Sequence, residues 1–227
     1  APAPLVNPYF SMEALSAAES GIDFQNTLNY QPDLNIVEYL YYYNGGGVAV
    51  GDINNDGWED LYFSANQLPD RLYLNQGGMK FQDISESAGL LQEASWSNGV
   101  TMEDVNNDGL LDIYVSKNGR FNSLQAHNLL YLNNGDLTFT ELTDIFDGQK
   151  MESYALGDLN DDGFVDIYGG YANIYTNPSM IDDIVWINEG NNNNHLSVSL
   201  VGIESNRNAI GARISIYGAW GIQIREV

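Results

Sequence analysis

The sequence predicts an all-β fold, a β-propeller built from blades of four antiparallel strands. Three observations predict it. A nonapeptide recurs as Asp52 to Asp60 (DINNDGWED), Asp104 to Asp112 (DVNNDGLLD) and Asp158 to Asp166 (DLNDDGFVD). The first residues of the copies are 52 and 54 positions apart, a period that suits a blade. Each copy is also embedded in several short runs rich in β-branched and aromatic residues, four per repeat at best, as a blade requires. At this period 227 residues hold about four blades' worth of chain.

Residues 1–35 are irregular, with Pro2, Pro4, Pro8 and Pro32 and a short helix expected around Met12 to Ser20. Phe10 to Ile22 (FSMEALSAAESGI) is similar to Phe81 to Leu90 (FQDISESAGL), so the chain is expected to open with the closing strand and turn of a blade. Ile36 to Tyr43 (IVEYLYYY) has β-rich composition, and Gly45 to Gly47 serve a turn or a close backbone approach. The first repeat predicts strands at Val48–Ile53, Asp60–Ala65, Arg71–Asn75 and Lys80–Ser85, and the second at Val100–Val105, Asp112–Lys117, Leu129–Asn133 and Thr138–Thr143. The third predicts Tyr154–Leu159, Asp166–Gly170 and Ile184–Asn188, with Leu196–Val201 as a fourth. Val50, Met102 and Leu156 are apolar and Ala49, Thr101 and Ala155 small at matching places, so one side packs while the other approaches a neighbour. The aromatics of the Leu72-Tyr73-Leu74-Asn75, Leu130-Tyr131-Leu132-Asn133 and Val185-Trp186-Ile187-Asn188 runs read as packing between blades.

Within the nonapeptide, Asp, Asn, Asp, Gly and Asp recur at positions 1, 3, 5, 6 and 9. Alternating side chains at 1, 3 and 5 can converge on one point, Gly at 6 allows a sharp turn, the carbonyl at 7 adds an oxygen, and Asp at 9 closes the shell of a hard cation. The twelve-residue helix-loop-helix calcium site is excluded, because its position 12 needs a bidentate Glu and here holds Phe63, Val115 or Gly169. A plain hairpin turn explains Asn-Asp-Gly but has no need of the Asp at position 9.

A formal net charge of −23 with only eight Lys and Arg argues against nucleic acid as a partner and for a basic partner or bound cations. Three divalent ions, +6 in all, would reduce it to −17. There is no cysteine for a disulfide or thiolate site, and no apolar run of membrane-spanning length. The opening APAPLV fits a mature end left by leader removal, and loops of this kind bind calcium usefully where it is about millimolar, which points to an extracellular or cell-surface location.

GVAVGDINNDGWEDLYF, GVTMEDVNNDGLLDIYV and YALGDLNDDGFVDIYG resemble the FG-GAP or VCBS-type repeats of integrin α-chain propellers and many secreted bacterial proteins, over residues 10–190 or, with the leading segment, 1–190. The resemblance implies calcium, about three ions, in the hairpin between the first two strands of each blade. Its ligands would be Asp52, Asn54, Asp56 and Asp60 with the Trp58 carbonyl; Asp104, Asn106, Asp108 and Asp112 with that of Leu110; and Asp158, Asn160, Asp162 and Asp166 with that of Phe164. Residues 191–227, from NHLSVSLVGIESNRNAIGARISIYG onward, resemble the start of the ASPIC/UnbV module of cartilage acidic protein-like chains, a small β-sandwich-like unit. Leu196, Val198 and Leu200, and Ala212, Ile214 and Ile216, alternate with polar residues as in half-buried strands, joined by a loop holding Ser205, Asn206, Arg207 and Gly211. Propellers of this family have about seven blades, so the chain is a fragment, a short relative, or a unit finished by neighbouring chains.

No catalytic constellation is found: His127 and His195 are the only histidines, and there is neither a Gly-x-Ser-x-Gly elbow nor a His pair at metal spacing. The function expected is therefore a non-catalytic, calcium-stabilised extracellular module for binding, adhesion or self-assembly. Its partner would be a protein, a glycan, or copies of itself in an oligomer or filament. The alternative is the propeller of a polysaccharide-degrading enzyme. The loops Asn66–Asp70, Asn118–Asn128 and Asn173–Asp183, equivalent in place but unequal in length, are candidates to carry recognition.

Overall fold

The computed structural model describes residues 5–7, 10–39, 42–90, 96–117, 128–142, 145–146, 153–170, 182–196, 198–203, 209–218 and 221–226. The chain opens with a hairpin of β1 (Leu5–Asn7) and β2 (Phe10–Met12), then a single helical turn, α1 (Ala17–Ser20). Ser16 caps α1 in a capping box with Glu19, and Gly21 ends it at φ 84. The helix is shorter than the sequence predicts, because the box fixes its start at Ser16 and not near Met12.

Two four-stranded antiparallel blades follow. Blade 1 is β3 (Val48–Gly51), β4 (Asp60–Phe63), β5 (Arg71–Asn75) and β6 (Phe81–Asp83), paired in that order. Blade 2 is β7 (Ser97–Glu103), β8 (Asp112–Lys117), β9 (Leu129–Asn133) and β10 (Phe139–Leu142), again in order. Blade 3 has three strands, β11 (Ser153–Gly157), β12 (Asp166–Gly170) and β13 (Ile184–Trp186). A hairpin of β14 (Arg213–Gly218) and β15 (Gly221–Glu226) closes the described chain.

The blades stack face to face, and the core lies between them. Ala49, Tyr62 and Leu72 of blade 1 pack against Val100, Met102, Ile113 and Tyr131 of blade 2. Tyr114 and Leu130 of blade 2 pack with Ile167, Tyr154 and Trp186 of blade 3. Alternation along each strand thus buries both faces of the middle blade, where β8 is buried over its whole length. The innermost strands approach closely: a Cβ on Gly47 would lie 3.0 Å from Gly99 Cα.

Two sequence expectations fail. Ile36 to Tyr43 forms turns and not a strand over its described residues, because Asn35 Oδ1 accepts from the N–H groups of Val37 and Glu38 at 2.9 and 3.3 Å and the Tyr39 N–H donates to the Asn35 carbonyl at 2.8 Å. Tyr39 and Tyr42 instead bury with Trp96 in a separate aromatic cluster. Leu196–Val201 is not a fourth strand of blade 3 over its described residues, and Leu196, Val198 and Val201 are exposed, having no sheet to cover. The second strand of that region is real: β14 alternates exposed Arg213 and Ser215 with half-buried Ile214 and Ile216. His127, Ser205 to Arg207 and most of the loops 118–128 and 173–183 lie outside the described residues. No helix among the described residues is long and apolar enough to cross a membrane.

Candidate metal-binding loops

Each nonapeptide links the first strand of its blade to the second, and the three copies have one geometry. Position 4 is left-handed (Asn55 φ 56, Asn107 φ 55, Asp161 φ 61) and so is position 6 (Gly57 φ 92, Gly109 φ 93, Gly163 φ 88). Asn and Asp tolerate that conformation and Gly adopts it freely, so the loop doubles back on its first residue.

Asp52 Oδ1 and Oδ2 accept from the N–H groups of Asp56 (3.0 Å) and Gly57 (2.7 Å). Asp104 does the same for Asp108 and Gly109, and Asp158 for Asp162 and Gly163. Asn54 accepts the Asp56 N–H through Oδ1 (3.1 Å) and donates Nδ2 to Asp56 Oδ2 (2.9 Å), and Asn106 and Asn160 repeat this with Asp108 and Asp162. Asp56 Oδ1 in turn accepts the Trp58 N–H, as Asp108 does for Leu110 and Asp162 for Phe164.

Position 9 is buried and ties the loop to the blade. Asp60 accepts the Ile53 N–H (3.0 Å) on one oxygen and the Asn75 N–H (2.7 Å) on the other. Asp112 holds Val105 and Asn133, and Asp166 holds Leu159 and Asn188, in the same way. All three carboxylates are fully buried. Burial pushes Asp60 and Asp112 up to about 7; the two N–H bonds oppose this, and the loop's other aspartates, at positions 5 and 1, add to it.

The loop oxygens at positions 1, 3, 5 and 9 thus accept backbone N–H groups, and a carboxylate or amide oxygen has a second lone pair for another partner. Among the described residues no group of three or more His, Cys, Asp or Glu is placed to hold a metal ion. A shell here would therefore be one of mixed oxygens, in which carboxylates are supplemented by the Asn amide and the position 7 carbonyl. That donor set, wholly oxygen and rich in uncompensated negative charge, fits a hard cation such as calcium.

Sequence reasoning missed the asparagines that follow. Asn133 Nδ2 donates to the Leu111 carbonyl of its own blade (3.1 Å) and to the Ile53 carbonyl of blade 1 (2.8 Å), and Asn188 Nδ2 reaches Val165 and, in blade 2, Val105. Position 4 also reaches across: Asn55 Nδ2 donates to the Gly109 carbonyl (3.0 Å) and Asn107 Nδ2 to that of Gly163 (2.8 Å). The signal was present, since Asn ends all three Leu-Tyr-Leu-Asn-type runs, but strand-end Asn reads first as a turn former.

The loop Asn66–Asp70 is a structural clamp. Asp70, buried, accepts from Tyr62 and Ser97 hydroxyls and the Ala65 N–H, and Asn66 bonds Asn26, Gly45 and Ser97. Burial pushes Asp70 up and the nearby Lys117 ammonium down. His195 lies against Gly163, in a cleft between the second and third loops lined also by Glu103, Asp104, Asp158 and Asp161.

Residues 52–115 match the family described as an FG-GAP-like repeat. Cartilage acidic protein 1 of Xenopus tropicalis is 32% identical over 101 residues, 44% of this chain and 15% of that protein. Integrin alpha-3 of Cricetulus griseus is 32% identical over 84 residues, 32% of this chain and 8% of that protein. The matched stretches thus span only a small part of these curated relatives. A solved lectin from Agrocybe aegerita, described as recognising non-reducing terminal N-acetylglucosamine, shares 25% identity with a TM-score of 0.36 over 54% of this chain and 31% of its own.

Proposed function

We propose that this chain, in which residues 52–115 match an FG-GAP-like repeat, is a calcium-stabilised, non-catalytic extracellular module for binding or adhesion. The observation that carries the reading is the threefold loop in which Asp at position 9 is fully buried although it shares each loop with the carboxylates of positions 1 and 5. Turn formation alone explains neither the burial nor the repetition.

The residues that would hold the cation are Asp52, Asn54, Asp56 and Asp60 with the Trp58 carbonyl, and their counterparts in the loops beginning at Asp104 and Asp158. Bound calcium would neutralise these carboxylates and link the turn to the blade. The chain's own groups set the geometry in advance: Asp52 Oδ1 and Oδ2 pin the turn through Asp56 and Gly57, and Asp60 anchors it through Ile53 and Asn75. The relatives are named cartilage acidic protein 1 and integrin alpha-3, names that support an extracellular setting here.

The test is thermal unfolding with calcium and with excess chelator, alongside calorimetric titration. A ligand bound only by the folded state, at a hundred times its dissociation constant, stabilises by about 2.7 kcal/mol per site. Calcium should therefore raise the melting temperature, and Asp108→Ala should remove part of the gain. Identical melting curves in calcium and chelator would defeat the reading.

A further inference from the structure

Two stretches that follow blade 3, residues 191–196 and β14, return across the loop end of the blades and between them touch all three nonapeptide loops. Asn191 Nδ2 and Asn193 Nδ2 both donate to the Asn106 carbonyl of the second loop, at 2.7 and 2.9 Å. The Asn193 N–H also donates to Asn191 Oδ1 at 2.6 Å, a local turn that aims both amides at one oxygen. His195 seats its ring on the third loop, where a Cβ on Gly163 would lie 2.0 Å from Nδ1. Arg213 Nη2, on β14, donates to the Gly57 carbonyl of the first loop at 2.9 Å. Leu196 and Ile216 line the cleft that also holds Asp104 and Asp158.

The groups held in this way lie next to the expected ligands. Asn106 is the position 3 residue of its loop, and while its carbonyl faces the two amides its side chain turns to Asp108. The Gly57 carbonyl belongs to the same peptide as the Trp58 N–H, which donates to Asp56 Oδ1. In the second and third loops the equivalent glycine carbonyls are held by Asn55 and Asn107, and in the first Arg213 takes that role. Residues 190–203 contain no Asp or Glu, so this strap lays amides, an imidazole and an apolar side chain over acidic loops. Such a cover takes water away from Asp104 and Asp158, and an ionised carboxylate loses more by that than one neutralised by a cation.

We propose, on the basis of the calcium reading above, that the strap formed by residues 191–196 and β14 docks in step with calcium. Occupied loops favour the docked strap, because covering them then costs less. By linkage the docked strap raises the calcium affinity of the loops by the same factor. Holding the Asn106 and Gly57 carbonyls in place beforehand acts in the same direction, since part of the ordering cost of binding is already met.

Calorimetric titration of the full chain with calcium, alongside circular dichroism, tests the coupling. Asn191→Ala combined with Asn193→Ala removes both amides from exposed positions, so the dichroism spectrum should be unchanged while calcium binding weakens about fivefold, the low end of couplings between sites. Asn192→Ala, between them and outside the contact, should bind as the wild type does. The chain has no cysteine, so spin labels on Ile203→Cys and Glu86→Cys, both exposed, report the strap directly. Their distance distribution should be narrow in calcium and broaden in chelator. A wild type that binds no calcium would overturn the calcium reading and the strap together. Undiminished binding by the double variant, an equal loss in Asn192→Ala, or a distance distribution indifferent to calcium would overturn the strap alone.

Discussion

Asp112 shows how one side chain serves both the fold and the proposed ion. Its oxygens accept the Val105 and Asn133 N–H groups from full burial, so Asp112→Ala leaves two donors without partners. Each such loss costs about 1–3 kcal/mol, and chemical denaturation in chelator should register the variant as strongly destabilised, apart from any effect on calcium binding. Asp108 is exposed and accepts only within the loop, so Asp108→Ala in chelator should be nearly silent. Burial also gives the cation-free protein a pH dependence. Asp60 and Asp112 rise from the ordinary 3.8 to about 7, so the folded chain keeps protons that the unfolded chain has released. Their stabilising contribution is complete below the unfolded value and is lost as pH climbs towards 7. In chelator the melting temperature should therefore fall across that window. Calcium, which favours the ionised carboxylates, should flatten or reverse the slope, and a flat profile in chelator would show these groups ionised throughout.

Among the elements, the strands bounded by chemistry were legible and those bounded by composition were not. β5, β8, β9 and β12 run as the sequence predicts, because an Asp at the loop end or an Asn at the turn end fixes a hydrogen bond there. Ile36 to Tyr43 has the composition of a strand, but Asn35 offers its backbone a nearer partner. Leu196 to Val201 alternates correctly yet its described residues pair with no described strand, and pairing cannot be read from alternation alone. The loop positions were visible from spacing, whereas the bonds across blades depend on which face meets which. Those bonds give a graded test. Asn133→Ala loses donation to both Leu111 and Ile53 as well as acceptance from Gly135, while Asn75→Ala loses Glu59 and acceptance from Gly77, with no bond across blades. Asn133→Ala should be the more destabilising by about 1 kcal/mol, the net worth of one hydrogen bond. Equal effects would mean that the contact with Ile53 contributes nothing.

At the scale of the whole molecule, the net charge of −23 works against every contact that brings the blades together. The three loops lie in successive blades, Asn55 touching the loop at Gly109 and Asn107 the loop at Gly163, so their carboxylates repel between loops as well as within each one. Monovalent salt weakens that repulsion by shortening the screening length from about 30 Å at 0.01 M to about 10 Å at 0.1 M. Screening acts more strongly on the longer separations between loops than on the short ones inside a loop. Salt should consequently raise the melting temperature in chelator but recover only part of what calcium confers, since calcium would act at the carboxylates themselves. Once calcium is bound, the same increase in salt should have a smaller effect. Melting curves over a salt series, run with calcium and with chelator, separate the two contributions. A salt series in chelator that matched the full effect of calcium would make the stabilisation one of general screening, and the loops would then need no ion of their own.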